Sequence, residues 1–311
     1  MRVAFLLIDD FALMSYASVI EPFRAANRLS GRDLYEWRHY SVDGRSAKPS
    51  TGVTMQVDGP INGELDADIL FVCAGGNPAL FDNRSTFAAL RRLSARGVIL
   101  GGVSGGAFLL ARAGLLDGHR CTIHWEHEPA FVETFPDLAF ERGLFVNDRA
   151  RITCAGGTAG LDLVTELIAD AHGVELAQLV SDWYIRTQKR PAEGAQRASI
   201  RQRYRVSHPG LISALEAMEA NMEDPLERDA LASIAGLSLR QLERLFRVQV
   251  GMTIREHYLR LRLDEAMRLL RETDLSRTMI AVACGFASTN HFSRSFRQRF
   301  AMSPSQARER T

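Results

Sequence analysis

The segment Gly102-Val-Ser104-Gly-Gly106 has the spacing Gly-x-Ser-x-Gly, which turns a strand sharply into a helix and exposes the serine hydroxyl. A serine at such a turn attacks an ester when a histidine and an acid converge on it. The histidine nearest in sequence is His124, and the acid between the two is Asp117, in a glycine-rich turn. Hydrolysis by Ser104 is therefore one hypothesis. The alternative is structural, because glycines at these positions let a strand and a helix pack closely.

The same residues could instead bind a small molecule. Amides of Gly105 and Gly106 at a helix N-terminus, with the Ser104 hydroxyl beside them, favour a carboxylate. Trp125 and Glu126 follow His124, and an indole face near a carboxylate suits a quaternary ammonium or guanidinium group. Together these residues predict a site for a zwitterion. Core packing of Trp125 and a structural role for His124 are the alternatives.

A second set of residues with binding chemistry occurs twice in the last third of the chain. The segments Ala232-Ser-Ile-Ala-Gly236-Leu-Ser238 and Ala281-Val-Ala-Cys-Gly285-Phe-Ala287 each predict a short helix, a glycine turn and the start of a second helix. This is the pattern of a helix-turn-helix motif. A long helix, predicted from Thr253 to Glu272, separates the two copies and would present them to successive major grooves about 34 Å apart.

Each predicted second helix has an apolar face and a basic face. In the first copy, Leu239, Leu242, Leu245 and Phe246 face inward, and Arg240, Arg244 and Arg247 face outward. In the second copy, Phe292, Phe296 and Phe300 face inward, and Asn290, Arg294 and Arg297 face outward. Such donors bond to base edges and phosphates. The net charge of this part of the chain also favours binding to DNA. Residues 201–311 hold 18 arginines against 13 acidic residues, a net charge of +5, whereas the whole chain has a net charge of +1.

The elements that must position these residues differ along the chain. Short β-branched runs closed by Asp or Gly alternate with amphipathic segments up to about residue 175, which predicts a parallel α/β sheet with helices on both faces. Beyond residue 207 the pattern is helical throughout. The predicted strands are Val3–Ile8, Ile69–Cys73, Val98–Val103 and Arg151–Cys154. We therefore predict a first domain over residues 1–186, a polar linker over 187–207 and a second domain over 208–311.

Composition bounds the class of protein. A chain of 311 residues with 46% apolar residues is long enough for two packed cores and is not disordered. No apolar run approaches the length of a membrane span, and the N-terminal run is too short for a signal peptide. The four scattered cysteines fit neither a zinc site nor a disulfide framework and are expected in the core of a cytoplasmic protein: Cys73, Cys121, Cys154 and Cys284.

The helical third resembles the AraC/XylS DNA-binding domain. The resemblance is carried by Gly236-Leu-Ser-Leu-Arg-Gln-Leu-Glu-Arg-Leu-Phe246, by Ala283-Cys-Gly-Phe-Ala-Ser-Thr-Asn-His-Phe-Ser-Arg-Ser-Phe296 and by Phe300 with Ser303-Pro304. Ala301 stands where that family usually has Gly, which alters only the helix cap. The resemblance implies base contacts and phosphate contacts, and the predicted DNA-binding residues are Arg240, Gln241, Glu243, Arg244, Thr289, Asn290 and Arg294, with Arg247, Arg297 and Arg299 on phosphate.

The first domain resembles the glutamine-amidotransferase-like, PfpI-type domain of GlxA-type regulators. The resemblance is carried by residues 11–27, by Gly102–Gly106 with Ala113–Gly118, and by Thr122-Ile-His-Trp125. It implies a flavodoxin-like parallel sheet. Ser104 occupies the place of the superfamily's catalytic Cys and Ser15 that of its acid, which indicates that chemistry has been lost and binding kept. The predicted ligand-binding residues are Ser15, Ser104, Gly105, Gly106, His124, Trp125 and Glu126.

The sequence thus predicts a cytoplasmic, ligand-responsive transcription factor that binds double-stranded DNA, without a cofactor or metal. The segment from Leu13 to Pro22 resembles the branch that controls glycine betaine and carnitine breakdown, so an N-methylated ammonium carboxylate is the predicted inducer of an activator. The resemblance also implies a homodimer. The alternatives are a regulator that responds to an arginine-type amino acid, a repressor of the same architecture, and a Ser104-dependent hydrolase with an appended helical module.

Overall fold

The structure is a computed structural model that describes residues 1–273 and 275–309, and it divides into two compact units. The first unit is Met1–Gln196 and the second begins at Arg197. The division falls inside the segment predicted as a linker, residues 187–207. The predicted second domain, residues 208–311, includes positions 274, 310 and 311, which lie outside the described residues.

The first unit is built on a seven-stranded sheet with the order β10-β11-β7-β6-β1-β2-β5. Neighbouring strands are parallel, except that β10 pairs antiparallel with β11. Two small two-stranded sheets, β3-β4 and β8-β9, lie outside it. The strands are β1 (Arg2–Leu7), β2 (Glu36–Ser41), β3 (Ser46–Ala47), β4 (Met55–Gln56), β5 (Gly59–Pro60), β6 (Ile69–Ala74), β7 (Ile99–Ser104), β8 (Arg120–Cys121), β9 (Ala139–Phe140), β10 (Phe145–Asp148) and β11 (Arg151–Cys154).

Helices cover both faces of this sheet, as the alternating sequence pattern predicts. The predicted α/β fold is confirmed, and the four predicted strands lie within one residue of β1, β6, β7 and β11. The helices are α1 (Leu13–Ser30), α2 (Arg84–Ala95), α3 (Gly106–Arg112), α4 (Glu128–Thr134), α5 (Ala159–His172) and α6 (Val174–Trp183), with a short 3-10 helix at Pro78–Leu80.

The sheet holds two hydrophobic cores because its central strands are apolar on both faces. Along β1, Val3, Phe5 and Leu7 belong to one buried cluster, whereas Ala4 and Leu6 belong to the other. This alternation with a period of two is what a strand buried on both sides requires. All four cysteines are free and buried, which confirms their predicted place in the cores.

The second unit is helical throughout its described residues, as predicted. Its longest helix, α11, has 19 residues and carries both halves of the unit. Ile200, inside the predicted linker, is buried in the core of this unit. The helices are α7 (Ile200–Tyr204), α8 (Pro209–Ala220), α9 (Arg228–Ile234), α10 (Leu239–Leu245), α11 (Ile254–Glu272), α12 (Arg277–Ala283), α13 (Thr289–Phe300) and α14 (Pro304–Glu309), with a π-helical turn at Phe246–Val250.

A histidine is buried in the core of the second unit. The His257 ring contacts the rings of Tyr204 and Phe246 at centroid distances of 5.2 and 5.8 Å. Neither ring nitrogen has a hydrogen-bond partner among the described residues. Burial, with the charge of Arg260, lowers the pKa of His257 to about 4, against the opposing effect of the carboxylates of Glu219 and Asp264.

The stability of the second unit should therefore fall as the solution becomes acidic. In the unfolded chain this ring binds a proton near its ordinary pKa of about 6.5. The stability that the neutral ring gives the folded unit is therefore complete above about pH 6.5 and is lost as the pH falls toward 4. Between pH 7 and pH 5 the loss is about 2 kcal/mol. Hydrogen exchange of the α11 amides in the full chain measures this loss of stability. The variant His257→Phe should make the stability of the second unit depend less on pH. An equally steep dependence in that variant would contradict the assignment.

Candidate ligand and DNA-binding sites

The turn between β7 and α3 has the geometry of a nucleophile elbow. Ser104 has a φ of +58°, in the left-handed region that non-glycine residues rarely occupy. A Cβ on Gly102 would lie 2.6 Å from the amide nitrogen of Ala107, and a Cβ on Gly106 would overlap the carbonyl oxygen of Val72. The two glycines are therefore required by close packing of helix against strand, as the structural interpretation of the motif predicts.

Ser104 and Ser15 both lie close to Gly156. A Cβ on Gly156 would lie 2.7 Å from both the Ser104 Cβ and the Ser15 Oγ. The Ser15 hydroxyl, which is buried, accepts a hydrogen bond of 2.8 Å from the Gly157 amide. Over residues 1–273 and 275–309, the Ser104 hydroxyl makes no hydrogen bond to an imidazole or a carboxylate. A serine without such a base is a poor nucleophile at neutral pH.

The amide of Gly105, which we predict to bind an anion, has a hydrogen-bond partner within the protein. Its amide donates a 2.9 Å hydrogen bond to the carbonyl oxygen of Ala74, at the end of the neighbouring strand β6. That bond holds the elbow to the sheet, and a ligand would have to compete with the Ala74 carbonyl for this amide. The helix behind it, α3, has only seven residues, and its dipole is correspondingly short. Ser104 remains as a side-chain donor at this turn.

The loop that carries His124 is anchored beside the elbow. The Thr122 amide donates to the Thr153 hydroxyl at 2.8 Å, and the Thr122 hydroxyl donates to the Gly143 carbonyl at 3.0 Å. Thr153 lies on β11, where it is the register partner of Gly102 on β7, two residues before Ser104. The loop therefore leaves the sheet at the carboxyl ends of β7 and β11, where parallel α/β sheets bind ligands.

His124, Trp125 and Glu126 form one cluster in this loop. The His124 and Trp125 rings are 5.3 Å apart, and Trp125 is 37% exposed. His124 Nδ1 accepts from the Glu126 amide at 3.3 Å, so the neutral ring carries its proton on Nε2. Burial lowers the pKa of His124, although the Glu126 carboxylate opposes the shift, which keeps the ring neutral at pH 7. The cluster thus offers an aromatic face, a carboxylate and an imidazole N–H.

The first helix-turn-helix motif consists of α9, a turn at Gly236 and α10. Gly236 has a φ of +63°, as the predicted tight turn requires. Ser238 caps α10 and accepts from the Gln241 amide. Leu242 and Phe246 are fully buried. The predicted outward residues of this motif are exposed: Arg240, Arg244 and Arg247.

Two other residues predicted to bind DNA on α10 have partners within the protein. The Gln241 side-chain carbonyl accepts from the amide and the hydroxyl of Ser238, both at 2.9 Å, and completes a capping box. The Glu243 carboxylate pairs with Arg228 of α9 at 3.1 Å. In the structure these side chains fix the start of α10 and its position against α9.

The second motif repeats the arrangement with α12, Gly285 and α13. Gly285 has a φ of +69°, and Ser288 caps α13 by accepting from the His291 amide. Phe292 and Phe296 are fully buried. Ala301, in the place of the usual Gly, has a φ of +55° and ends the helix. The predicted DNA-binding residues exposed on this helix are Thr289, Asn290, Arg294 and Arg297.

Arg299, which the family resemblance predicts to contact phosphate, makes a contact within the protein. Its Nε donates to the Asp264 carboxylate of α11 at 2.9 Å, and its guanidinium lies 5.1 Å from the centre of the Phe300 ring. Arg299 therefore ties α13 to α11. A pairing between residues 35 positions apart gives no signal in a single sequence.

Arg262 of α11 is a structural residue that the sequence analysis missed. It donates to the carbonyl oxygens of Cys284 and Gly285 at 2.6 and 2.5 Å, and its guanidinium lies 4.2 Å from the centre of the Phe286 ring. These contacts satisfy carbonyls at the end of α12 that the helix leaves unpaired. The turn of the second motif is thereby fixed directly to the long helix.

Comparison with known proteins assigns a family to each unit. Residues 1–170 match the DJ-1/PfpI family, and residues 231–310 match a helix-turn-helix domain family. The chain is 45% identical to the HTH-type transcriptional regulator CdhR of Pseudomonas aeruginosa, over 98% of this chain and 90% of that protein. It is 44% identical to the HTH-type transcriptional regulator GlxA of Rhizobium meliloti, over 100% of this chain and 96% of the relative.

Solved structures agree with the fold of the first unit. An AraC family transcriptional regulator from Pseudomonas putida is 27% identical, with a TM-score of 0.53, over 59% of this chain and 98% of that one. Oxidized DJ-1 from Toxoplasma gondii is 20% identical, with a TM-score of 0.50, over 60% of this chain and 99% of that one. The second likeness shows the fold alone. The flavodoxin-like architecture predicted for the first domain is confirmed.

Substitutions on α13 should separate base reading from charge attraction. We expect Arg294→Ala to weaken binding to a cognate duplex by about 1–3 kcal/mol and to relax its base preference, because an exposed arginine here can contact guanine. Arg297→Ala should weaken all duplexes alike. Arg32→Ala, an exposed arginine of the first unit, is the control for lost charge. Titration of cognate and scrambled duplexes gives both the affinity and the base preference of each variant. Equal losses of affinity in Arg294→Ala and in the control would contradict base reading.

Proposed function

The chain belongs to the DJ-1/PfpI family through its first unit and to the HTH-type transcriptional regulators over its whole length, and from this membership we propose that it is a ligand-responsive activator of transcription. The first unit senses a small molecule and the second binds promoter DNA. The DNA-binding part of this proposal is supported by the two capped helices, α10 and α13. Their apolar faces are buried, whereas their arginines are exposed.

The proposed inducer is a small N-methylated ammonium carboxylate of the glycine betaine or carnitine type. The exposed Trp125 indole and the Glu126 carboxylate would hold the quaternary ammonium group, which has no N–H to donate. The His124 Nε2–H and the Ser104 hydroxyl would donate to the ligand carboxylate. An arginine-type amino acid is the alternative, since a guanidinium also stacks on an indole and pairs with a carboxylate.

The inducer is proposed to act by shifting populations between conformations of the regulator. A ligand that binds one conformation more tightly raises the fraction of protein in that conformation, and DNA affinity changes by the same coupling factor. We propose a homodimer, an expectation from the family resemblance, because a symmetric operator then engages two second units. None of the helices in the described part of the chain has the length and the apolar character needed to cross a bilayer. We propose that the regulator acts in the cytoplasm.

The ligand class is tested by calorimetric titration with glycine betaine, carnitine and arginine. We expect betaine or carnitine to bind, and Trp125→Ala to weaken that binding about threefold to thirtyfold, because a cation–π contact is lost. Trp183→Ala, which removes a similarly exposed indole from α6, is the matched control. Heat with arginine alone would favour the alternative inducer, and unchanged affinity in Trp125→Ala would reject the aromatic contact.

The proposal that the protein is not an enzyme is tested by covalent trapping. A fluorophosphonate labels serines that a nearby base has activated, and Ser104 has no hydrogen bond to an imidazole in the described structure. We expect no stoichiometric label, measured by intact-protein mass spectrometry beside a known serine hydrolase. Stoichiometric labelling that Ser104→Ala removes would support a hydrolase and contradict the proposal.

A further inference from the structure

The two helix-turn-helix motifs of the second unit have separate hydrophobic cores. In the part of the chain that the structure describes, the buried side chains of the first motif cluster with Tyr258 of α11, whereas those of the second cluster with Leu263 of the same helix. A shared core would fix the angle between the motifs by itself. With two cores, that angle depends on α11 and on the direct contacts that the motifs make with each other.

The motifs meet at the turn of the second motif. A Cβ on Gly285 would lie 2.6 Å from the carbonyl oxygen of Met222 and 2.8 Å from that of Glu223, both in the segment between α8 and α9. Only glycine therefore allows this turn to lie so close to that segment. At Gly236, the equivalent turn of the first motif, no atom of the described residues beyond the chain neighbours lies within 4 Å of a Cβ. The close approach is thus a feature of the second turn alone.

Side chains from consecutive turns of α11 fasten the two sides of this contact. The Tyr258 hydroxyl donates to the Asn221 carbonyl at 2.5 Å and accepts from the Leu226 amide at 3.1 Å, which holds the side of the first motif. Arg262 lies four residues later on the same face of the helix and holds the second turn through the Gly285 carbonyl at 2.5 Å. We call this set of contacts the inter-motif junction: Tyr258, Arg262, Gly285 and residues 221–226.

The bonds of the junction reach backbone groups at the ends of helices. Asn221 follows α8 and Cys284 follows α12, where carbonyl oxygens have no partner within the helix. Arg262 binds the second turn with two donors of one planar guanidinium, which fixes an angle better than a lysine ammonium does. Turning one helix-turn-helix motif against the other would break these bonds, so the junction resists a change in the angle between the motifs.

We propose that Tyr258 and Arg262 are positioning residues that determine which spacing between two DNA half-sites the protein accepts. A half-site is here the stretch of bases that one of the two helices, α10 or α13, contacts. The inference rests on the function proposed above, that both helices bind DNA. Helices held at a fixed angle match one spacing, because inserting one base pair turns the second half-site by about 34° and moves it by about 3.4 Å. With a loose junction the helices would follow that displacement.

The spacing preference is measured with duplexes that carry the two half-sites selected by the wild-type protein from a random DNA pool. Inserting one base pair between the half-sites should weaken binding of the full-length wild type about tenfold, because one helix then loses its base contacts. In Arg262→Met, which keeps the aliphatic stem and loses the donors, the same insertion should weaken binding only about threefold. Tyr258→Phe should behave like Arg262→Met, and Arg262→Lys should lie between that variant and the wild type.

A duplex with the half-site of α10 alone is the matched control ligand. Its affinity should be the same in the wild type, Arg262→Met and Tyr258→Phe, because the first motif keeps its own core. A general loss of folding would lower this affinity, whereas a looser junction does not. A loss on insertion as large in Arg262→Met and Tyr258→Phe as in the wild type would overturn the inference.

Two glycine substitutions separate the junction from the general need for glycine in a tight turn. Gly285 and Gly236 have φ of +69° and +63°, so alanine strains the two turns alike. Only Gly285→Ala also pushes its turn away from residues 222–225, so the loss of affinity on insertion should fall in this variant and stay unchanged in Gly236→Ala. Equal losses in the two variants would contradict the role of the close approach. Should Gly285→Ala fail to fold, the Arg262 and Tyr258 variants decide.

The mechanical part of the inference is tested without DNA, so that it is decided even if the proposed function is wrong. Spin labels at Val248→Cys and Gln298→Cys, exposed positions of the first and second motif, report the distance between the motifs. The native cysteines are buried and should not be labelled under native conditions. The full chain, diluted with unlabelled protein, should give one narrow distance distribution by pulsed dipolar spectroscopy, and Arg262→Met should give one about twice as wide.

The two measurements fail in different ways. A distance distribution of the same width in Arg262→Met as in the wild-type background would overturn the inference, whatever the protein binds. A wider distribution, combined with no sequence-selective binding of DNA by the wild type, would support the mechanical role of the junction and contradict the proposed function.

Discussion

Burial of one face of each helix predicted to contact DNA, α10 and α13, is the constraint on which the second unit depends. The inward side chains are fully buried in both motifs: Leu242 and Phe246 in the first, Phe292 and Phe296 in the second. Each helix is therefore fixed in one orientation about its own axis. The arginines on the opposite faces must then point to solvent. Burying these apolar side chains contributes several kcal/mol, far more than exposed arginines cost in mutual repulsion. Stability and the exposed arginine surface that we propose binds DNA are thus produced by the same packing.

Close packing has a similar effect in the first unit, at the carboxyl edge of its sheet. Glycines at 102 and 106 allow α3 to start almost against β6 and β7, and this places Ser104 in a left-handed conformation. The elbow of a catalytic fold is kept, but the hydroxyl makes no hydrogen bond to an imidazole or a carboxylate in the described structure. Serine in the place of a reactive thiol, with Ser15 in the place of an acid, fits a pocket that binds without reacting. The chain thus combines a DJ-1/PfpI scaffold with the architecture of a transcriptional regulator, and we propose that this scaffold serves as the sensor.

Local patterns in the sequence predicted most of this architecture, and contacts distant in sequence explain what they missed. Strand and helix positions follow from periodicity, and the two glycine turns from residue type. The bond from Gly105 to Ala74, the pair of Arg299 with Asp264 and the anchoring of the second turn by Arg262 all join distant segments. A pattern of residue types shows which side chains could bind a partner. It does not show which of them the fold has already used.

Binding-site selection from a random DNA pool, followed by hydroxyl-radical footprinting of the full protein, tests the account most directly. Two arginine-bearing helices carried by one long helix should select two short motifs whose centres lie about 10 base pairs apart, with matching protected blocks on one side of the duplex. Enrichment of a single motif, or of no motif beyond general affinity for polyanions, would contradict the account.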